Sequence, residues 1–123
     1  MNPGGDASEV QRSFLADFAV DRRVHLYCDL YDVPRLFSVE ASDGQTWILA
    51  SYFVEEQDDY CDRFDVHRSP RPTNTLDVSD FLEIVSSGPP SFTVPVSAFV
   101  FDASRRKTIR LRSEFDAAQL RAP

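Results

Sequence analysis

Cys28, Cys61, His25 and His67 are the only cysteines and histidines in the chain, and they are its candidates for metal ligation or thiol chemistry. Two Cys and two His would suffice for one tetrahedral zinc site, and a cysteine beside a histidine could work as a nucleophile and its base. The spacing opposes the metal site. On a strand, His25 and Cys28 are three apart and face opposite sides, while Cys61 and His67 share a side but stand about 20 Å apart. No metal and no cofactor are expected. A dyad of Cys28 or Cys61 with His67 across neighbouring strands is the remaining catalytic alternative, a small hydrolase or thiol enzyme using Cys61 and His67. No Gly-x-Ser-x-Gly elbow supports it, and Gly4, Gly5, Gly44 and Gly88 form no phosphate-cradling loop.

Carboxylates are the other concentrated chemistry. Glu55, Glu56, Asp58, Asp59, Asp62 and Asp65 fall within eleven residues that hold one cation, Arg63. They lack the glycine and spacing of a calcium loop, and acid–base work would require burial to separate their pKa values. An exposed acidic turn suits a protein partner with a basic, phosphate-binding surface. The rest of the chain supplies an opposite patch: residues 1–65 carry −9 and residues 66–123 carry +2, with Arg105, Arg106, Lys107, Arg110 and Arg112 close together. Arg63, His67, Arg110 and Arg112 form a secondary candidate surface. Acidic turn and basic strand either stay apart as a dipolar surface or pair with each other, and both readings are open.

The elements that must carry these groups follow from periodicity. Val10, Phe14 and Phe18 recur every four residues behind Asp6 and Glu9, which resemble a capping box, and predict a helix over 7–20. Strands are predicted over 24–28, 35–41, 46–54, 60–67, 92–101 and 108–112. Asp43-Gly44 closes the hairpin between the second and third. The third is apolar on both sides, with Trp47, Leu49 and Phe53 on one and Ile48, Ala50, Tyr52 and Val54 on the other, as befits a covered central strand. In the fourth, Tyr60, Phe64 and Val66 oppose Cys61, Arg63, Asp65 and His67. A short helix is predicted over 77–86, and Pro95 demotes part of 92–101 to an edge or bulge. The expected architecture is α+β: a mainly antiparallel sheet of five or six strands with one or two helices packed on a face. Residues 1–5 read as a flexible leader, 6–115 as a single domain and 116–123 as a tail.

At 123 residues, 42% hydrophobic with ten Phe, the chain has enough apolar matter for one core. A net charge of −7 argues against direct nucleic-acid binding. No signal peptide, membrane span or lipidation motif is evident, and two cysteines fit reduced thiols, so a cytoplasmic location is expected.

The run Leu26-Tyr27, Leu30-Tyr31-Asp32-x-Pro34-x-Leu36-Phe37, then Asp43-Gly44, an aromatic-apolar strand and an acidic turn, resembles a family of short uncharacterised bacterial proteins. In that family a Tyr-Asp-x-Pro-Leu-Leu-Phe segment leads into such a hairpin, and a helix similar to residues 81–88 follows. The resemblance covers 26–92, departs at Arg35 where the family has an aliphatic residue, and departs again in the Pro-rich 69–74 loop. It implies bacterial origin and fold, and no activity.

The functional expectation is a non-enzymatic acidic binding module of inhibitor, immunity or antitoxin type. Glu55, Glu56, Asp58, Asp59, Asp62 and Asp65 would meet a protein partner with a basic surface. The alternative is a structural adaptor or a subunit of a homo-oligomer.

Overall fold

The four-residue spacing of Val10, Phe14 and Phe18 produces the first helix, α1, over Pro3–Asp17. The computed structural model describes residues 3–28, 33–102 and 107–112, apart from the side chains of 3–8, 25, 26 and 28. The helix starts earlier than the 7–20 prediction. Pro3 suits a first helical position because its φ is fixed and its missing N–H would have no partner there. Residues 3–5, expected in the leader, are helical, and Asp6 falls within the helix rather than at its start. Beyond Asp17 the N–H groups of Phe18 and Ala19 close tight turns on Leu15 and Ala16, at 3.0 and 3.2 Å. Residues 1–2, and 113–123 with the expected tail, lie outside the described residues.

Among the described residues nine strands follow: β1 Arg22–Cys28, β2 Leu36–Glu40, β3 Thr46–Ala50, β4 Phe53–Val54, β5 Asp59–Tyr60, β6 Phe64–Arg68, β7 Phe92–Val94, β8 Phe99–Asp102 and β9 Thr108–Leu111. A second helix, α2, spans Val78–Ser86 between β6 and β7. The fold is α+β, with a seven-stranded antiparallel sheet in the order β7-β6-β3-β2-β1-β9-β8 and a separate two-stranded sheet, β4-β5. The prediction of five or six strands is corrected at Pro95. Pro95 cannot donate to a ladder and opens a 3₁₀ turn over Val96–Ala98, so the predicted 92–101 strand becomes β7 and β8. The acidic stretch likewise draws β4 and β5 out of the longer strands predicted over 46–54 and 60–67.

Asp43-Gly44 closes the β2–β3 hairpin through a three-residue loop. Ala41 N–H donates to the Gln45 carbonyl at 2.9 Å, Gly44 N–H to the Ala41 carbonyl at 3.0 Å, and Gly44 takes φ 88°. That conformation is cheap only for glycine. In β1 a bulge places three residue steps, Val24 to Tyr27, opposite two in β2, Val39 to Phe37.

β3 is buried at all five positions, because helices cover both sides of the sheet. On one face Trp47, Leu49, Phe37, Phe64 and Val66 pack with Phe14 and Leu15 of α1 and with Phe18 just beyond it. On the other, Leu36, Ile48 and Ala50 pack with Leu76 and Phe81, under α2. A capping box starts α2: Asp77 accepts from Asp80 N–H while Asp80 accepts from Asp77 N–H.

The sheet is strongly curled. β7 and β8 are its opposite edges, about 29 Å apart if seven strands lay flat. Yet only residues 95–98 join them, a span of at most about 18 Å. Consistent with a curled sheet, the rings of Phe64 on β6 and Phe99 on β8 lie 5.9 Å apart although their strands are five places apart in the order. α1 fills the seam between the edges. Gln11 Nε2 donates to the Thr93 carbonyl of β7 at 2.6 Å, and Leu111 N–H of β9 donates to the Phe18 carbonyl at 2.9 Å. Phe14 contacts Phe92 at 5.2 Å and Phe18 contacts Phe99 at 5.3 Å. Among the described residues, no helix is long and apolar enough to cross a membrane.

Candidate functional site

The β4–β5 hairpin stands apart from the large sheet and carries most of the predicted acidic site. Its two pairs are Phe53 opposite Tyr60 and Val54 opposite Asp59. Between them, Glu55–Gln57 form a 3₁₀ turn, and Asp58 adopts a left-handed conformation with φ 53° and ψ 40°. Aspartate tolerates that region better than most residues, and here its N–H reaches the Glu55 carbonyl at 3.1 Å. Ser51 N–H donates to the Arg35 carbonyl and ties the base to the large sheet, and Cys61 N–H donates to the Tyr52 carbonyl and closes the hairpin, both at 2.8 Å.

Glu55, Glu56, Asp58 and Asp59 are all exposed at this tip. Among the described residues the ion pairs are Arg22–Asp17, Arg63–Asp65 and Arg71–Asp80, so none neutralises these four carboxylates. The other two predicted acids do different work. Asp62 accepts from Ser97 N–H and hydroxyl, at 2.8 and 3.0 Å. Asp65 is buried on the α2 side of β6, with Arg63 Nε at 2.9 Å from Oδ1 as a charge contact without hydrogen-bond alignment. Asp65 thus stands off the acidic surface, because its place in the strand turns it inward.

The secondary surface also divides. His67 is 5% exposed rather than superficial, with Nε2 lacking a hydrogen-bond partner. Burial holds its pKa below the ordinary value, and the nearby Asp65 carboxylate opposes that shift only in part. Arg110 is exposed on β9, whereas Arg112 Nε donates to the Ser97 carbonyl at 2.9 Å. Arg105 and Arg106 lie outside the described residues. Cys61 and His67 are not hydrogen-bonded to each other. The Cys61 sulfur lies 3.8 Å from Ser51 Oγ and 3.5 Å from the Arg63 carbonyl, while His67 sits opposite Ile48. The side chains of Cys28 and His25 lie outside the description. No three described His, Cys, Asp or Glu side chains gather closely enough to hold a metal ion.

Sequence reasoning missed the aromatic base of the hairpin. Phe53 and Tyr52, predicted inside a covered strand, are 50% and 42% exposed. Desolvation, and secondarily the Asp65 charge, raise the Tyr52 pKa above the ordinary phenol value. The signal was Ser51, a polar residue where the apolar run should have continued. Phe53 meets Tyr60 edge-on at 5.4 Å and 84°, and the Arg35 guanidinium stacks on Tyr60 at 4.8 Å. Arg35 is 7% exposed and also donates to Ser51 Oγ at 3.3 Å. Beside the hairpin, Arg35, Tyr60, Cys61, Asp62, Ser97 and Arg112 border a cleft of ≈ 300 Å³. A second cleft, ≈ 400 Å³, lies between α1 and the Asp43 turn, where Arg68 stacks over Trp47 at 5.1 Å.

A scan against protein-family models, a search of curated proteins and a search of solved structures each return no match to this chain.

Proposed function

We propose that this chain is a non-enzymatic protein-binding module that docks through the β4–β5 hairpin on a basic, nucleic-acid-binding protein, as an inhibitor, immunity protein or antitoxin would. The observation that carries this reading is the exposed quartet Glu55, Glu56, Asp58 and Asp59, with no cation paired to it among the described residues. Its setting is a bacterial cytoplasm, in keeping with the resemblance over 26–92 and with only two cysteines in a chain that folds around an apolar core.

Magnitudes divide the work. An exposed ion pair contributes about 0.2–1 kcal/mol, so the carboxylates chiefly steer encounter and exclude wrong partners. Covering the exposed half of Phe53, about 100 Å² of ring, adds roughly 2.5 kcal/mol. Charge therefore selects the partner and the ring holds it.

The test is affinity capture from the native cell with wild-type protein and with a Glu55→Lys, Glu56→Lys, Asp58→Lys, Asp59→Lys variant. The wild type should retain a basic nucleic-acid-binding protein that salt releases, and the variant should lose it. Equal retention by both would overturn the proposal.

A further inference from the structure

The hairpin presents a flat exposed ring, Phe53, together with its charges, and that combination narrows the class of partner. We propose that the exposed Phe53 ring together with the carboxylates of the hairpin tip imitates single-stranded nucleic acid, and that the partner is a protein whose groove binds single strands. This inference rests on the docking reading above and adds the partner's class to it.

A groove that binds a duplex meets two lines of phosphates and the edges of stacked bases; no base face is free there. A groove that binds single strands combines basic side chains tracking the backbone with aromatic platforms on which unstacked bases lie. A mimic of the first needs carboxylates alone. A mimic of the second needs carboxylates with an exposed ring on the same hairpin, and Phe53 is half-exposed two residues before Glu55. Charge complementarity fixes the sign of the groove, and the Phe53 ring fixes what else it contains.

The surface is also held ready. Tyr60 supports Phe53 from the facing strand and is itself backed by the buried Arg35 guanidinium. The Cys61–Tyr52 and Ser51–Arg35 backbone bonds fix both ends of the hairpin. A ring already held in place loses little freedom on binding, so a single aromatic anchor can dominate the contact.

The experiment immobilises the full chain, loads native-cell extract, and challenges the retained protein with oligothymidylate of about 20 nucleotides, longer than the ~4–16 nucleotides one single-strand module occupies. A duplex of equal phosphate concentration serves as the second arm. Oligothymidylate should release the protein at a concentration at least about tenfold lower than the duplex. Phe53→Ala and Phe53→Leu should each reduce retention at least about tenfold, since both lose the stacking face and leave the charges intact. Circular dichroism checks that both variants keep the fold. Release by duplex as easily as by oligothymidylate, or full retention by Phe53→Leu, overturns the single-strand inference while charge-dependent docking stands. Retention that survives the four-lysine variant, or no retention by wild type, overturns the docking reading and this inference with it.

Discussion

Asp62 grips both the backbone N–H and the hydroxyl of Ser97, at 2.8 and 3.0 Å, across thirty-five positions of sequence. The contact ties the exit of the acidic hairpin to the turn that carries the chain from one edge of the sheet to the other. Arg112 Nε binds the Ser97 carbonyl at 2.9 Å, so Ser97 is held on donor and acceptor sides at once.

Asp62→Ala should lower stability by about 1 kcal/mol, less than the ~1.5–3 kcal/mol typical of hydrogen bonds to charged groups because the site is open to water. Asp62→Asn, which keeps one acceptor oxygen, should lose less. Urea titration of both variants measures the difference; an unchanged Asp62→Ala midpoint would show that water replaces the carboxylate at no cost.

Gly44 has nothing within 4 Å of where a Cβ would project, so a side chain there meets backbone strain and no clash. Gly44→Ala should lose about 1–2 kcal/mol, and Gly44→Asn should lose less because asparagine tolerates positive φ. Thermal melts of the pair separate conformational strain from packing.

Phe81 is fully buried in the smaller core, while its neighbour Leu82 is 55% exposed on the same helix. Phe81→Ala should lose about 3–5 kcal/mol, and Leu82→Ala should stay within about 0.5 kcal/mol of wild type. Chemical denaturation distinguishes them; similar losses would place the helix face differently from the structure.

The buried imidazole of His67 gives a pH dependence of definite sign. Its folded-state pKa lies below the ordinary histidine value of 6.5, with burial as the largest cause, so the unfolded chain binds the proton more readily. That contribution is whole above pH 6.5 and is lost as pH falls from there through the folded-state pKa. His67→Leu should therefore show a smaller fall in Tm between about pH 7.5 and about pH 5 than wild type, a range in which histidine is the side chain that ordinarily titrates. An equal fall in both would assign the acid sensitivity to other groups.

Local chemistry was readable from sequence where neighbours along the chain decide it. Val10, Phe14 and Phe18 announce a helix, Asp43-Gly44 announces a hairpin, and the doubly apolar run from Trp47 announces a strand covered on both sides. What escaped depends on partners far away. Phe53 looks buried until Ser51 bonds to Arg35 across the sheet and turns the hairpin outward. His67 and Asp65 read as a polar outer face because the sequence does not say that α2 packs on that side of the sheet. Pro95 signalled an interruption, and only the topology reveals that the strands on either side of it belong to opposite edges.

The four residues after β7 thereby set the cooperativity of the whole molecule. Zipping β7 onto β6 drags β8 toward β9, so neither margin can close while the other hangs free. Amide protons of the two margins should become protected together and exchange together, and the chain should melt as one unit rather than fray from a side.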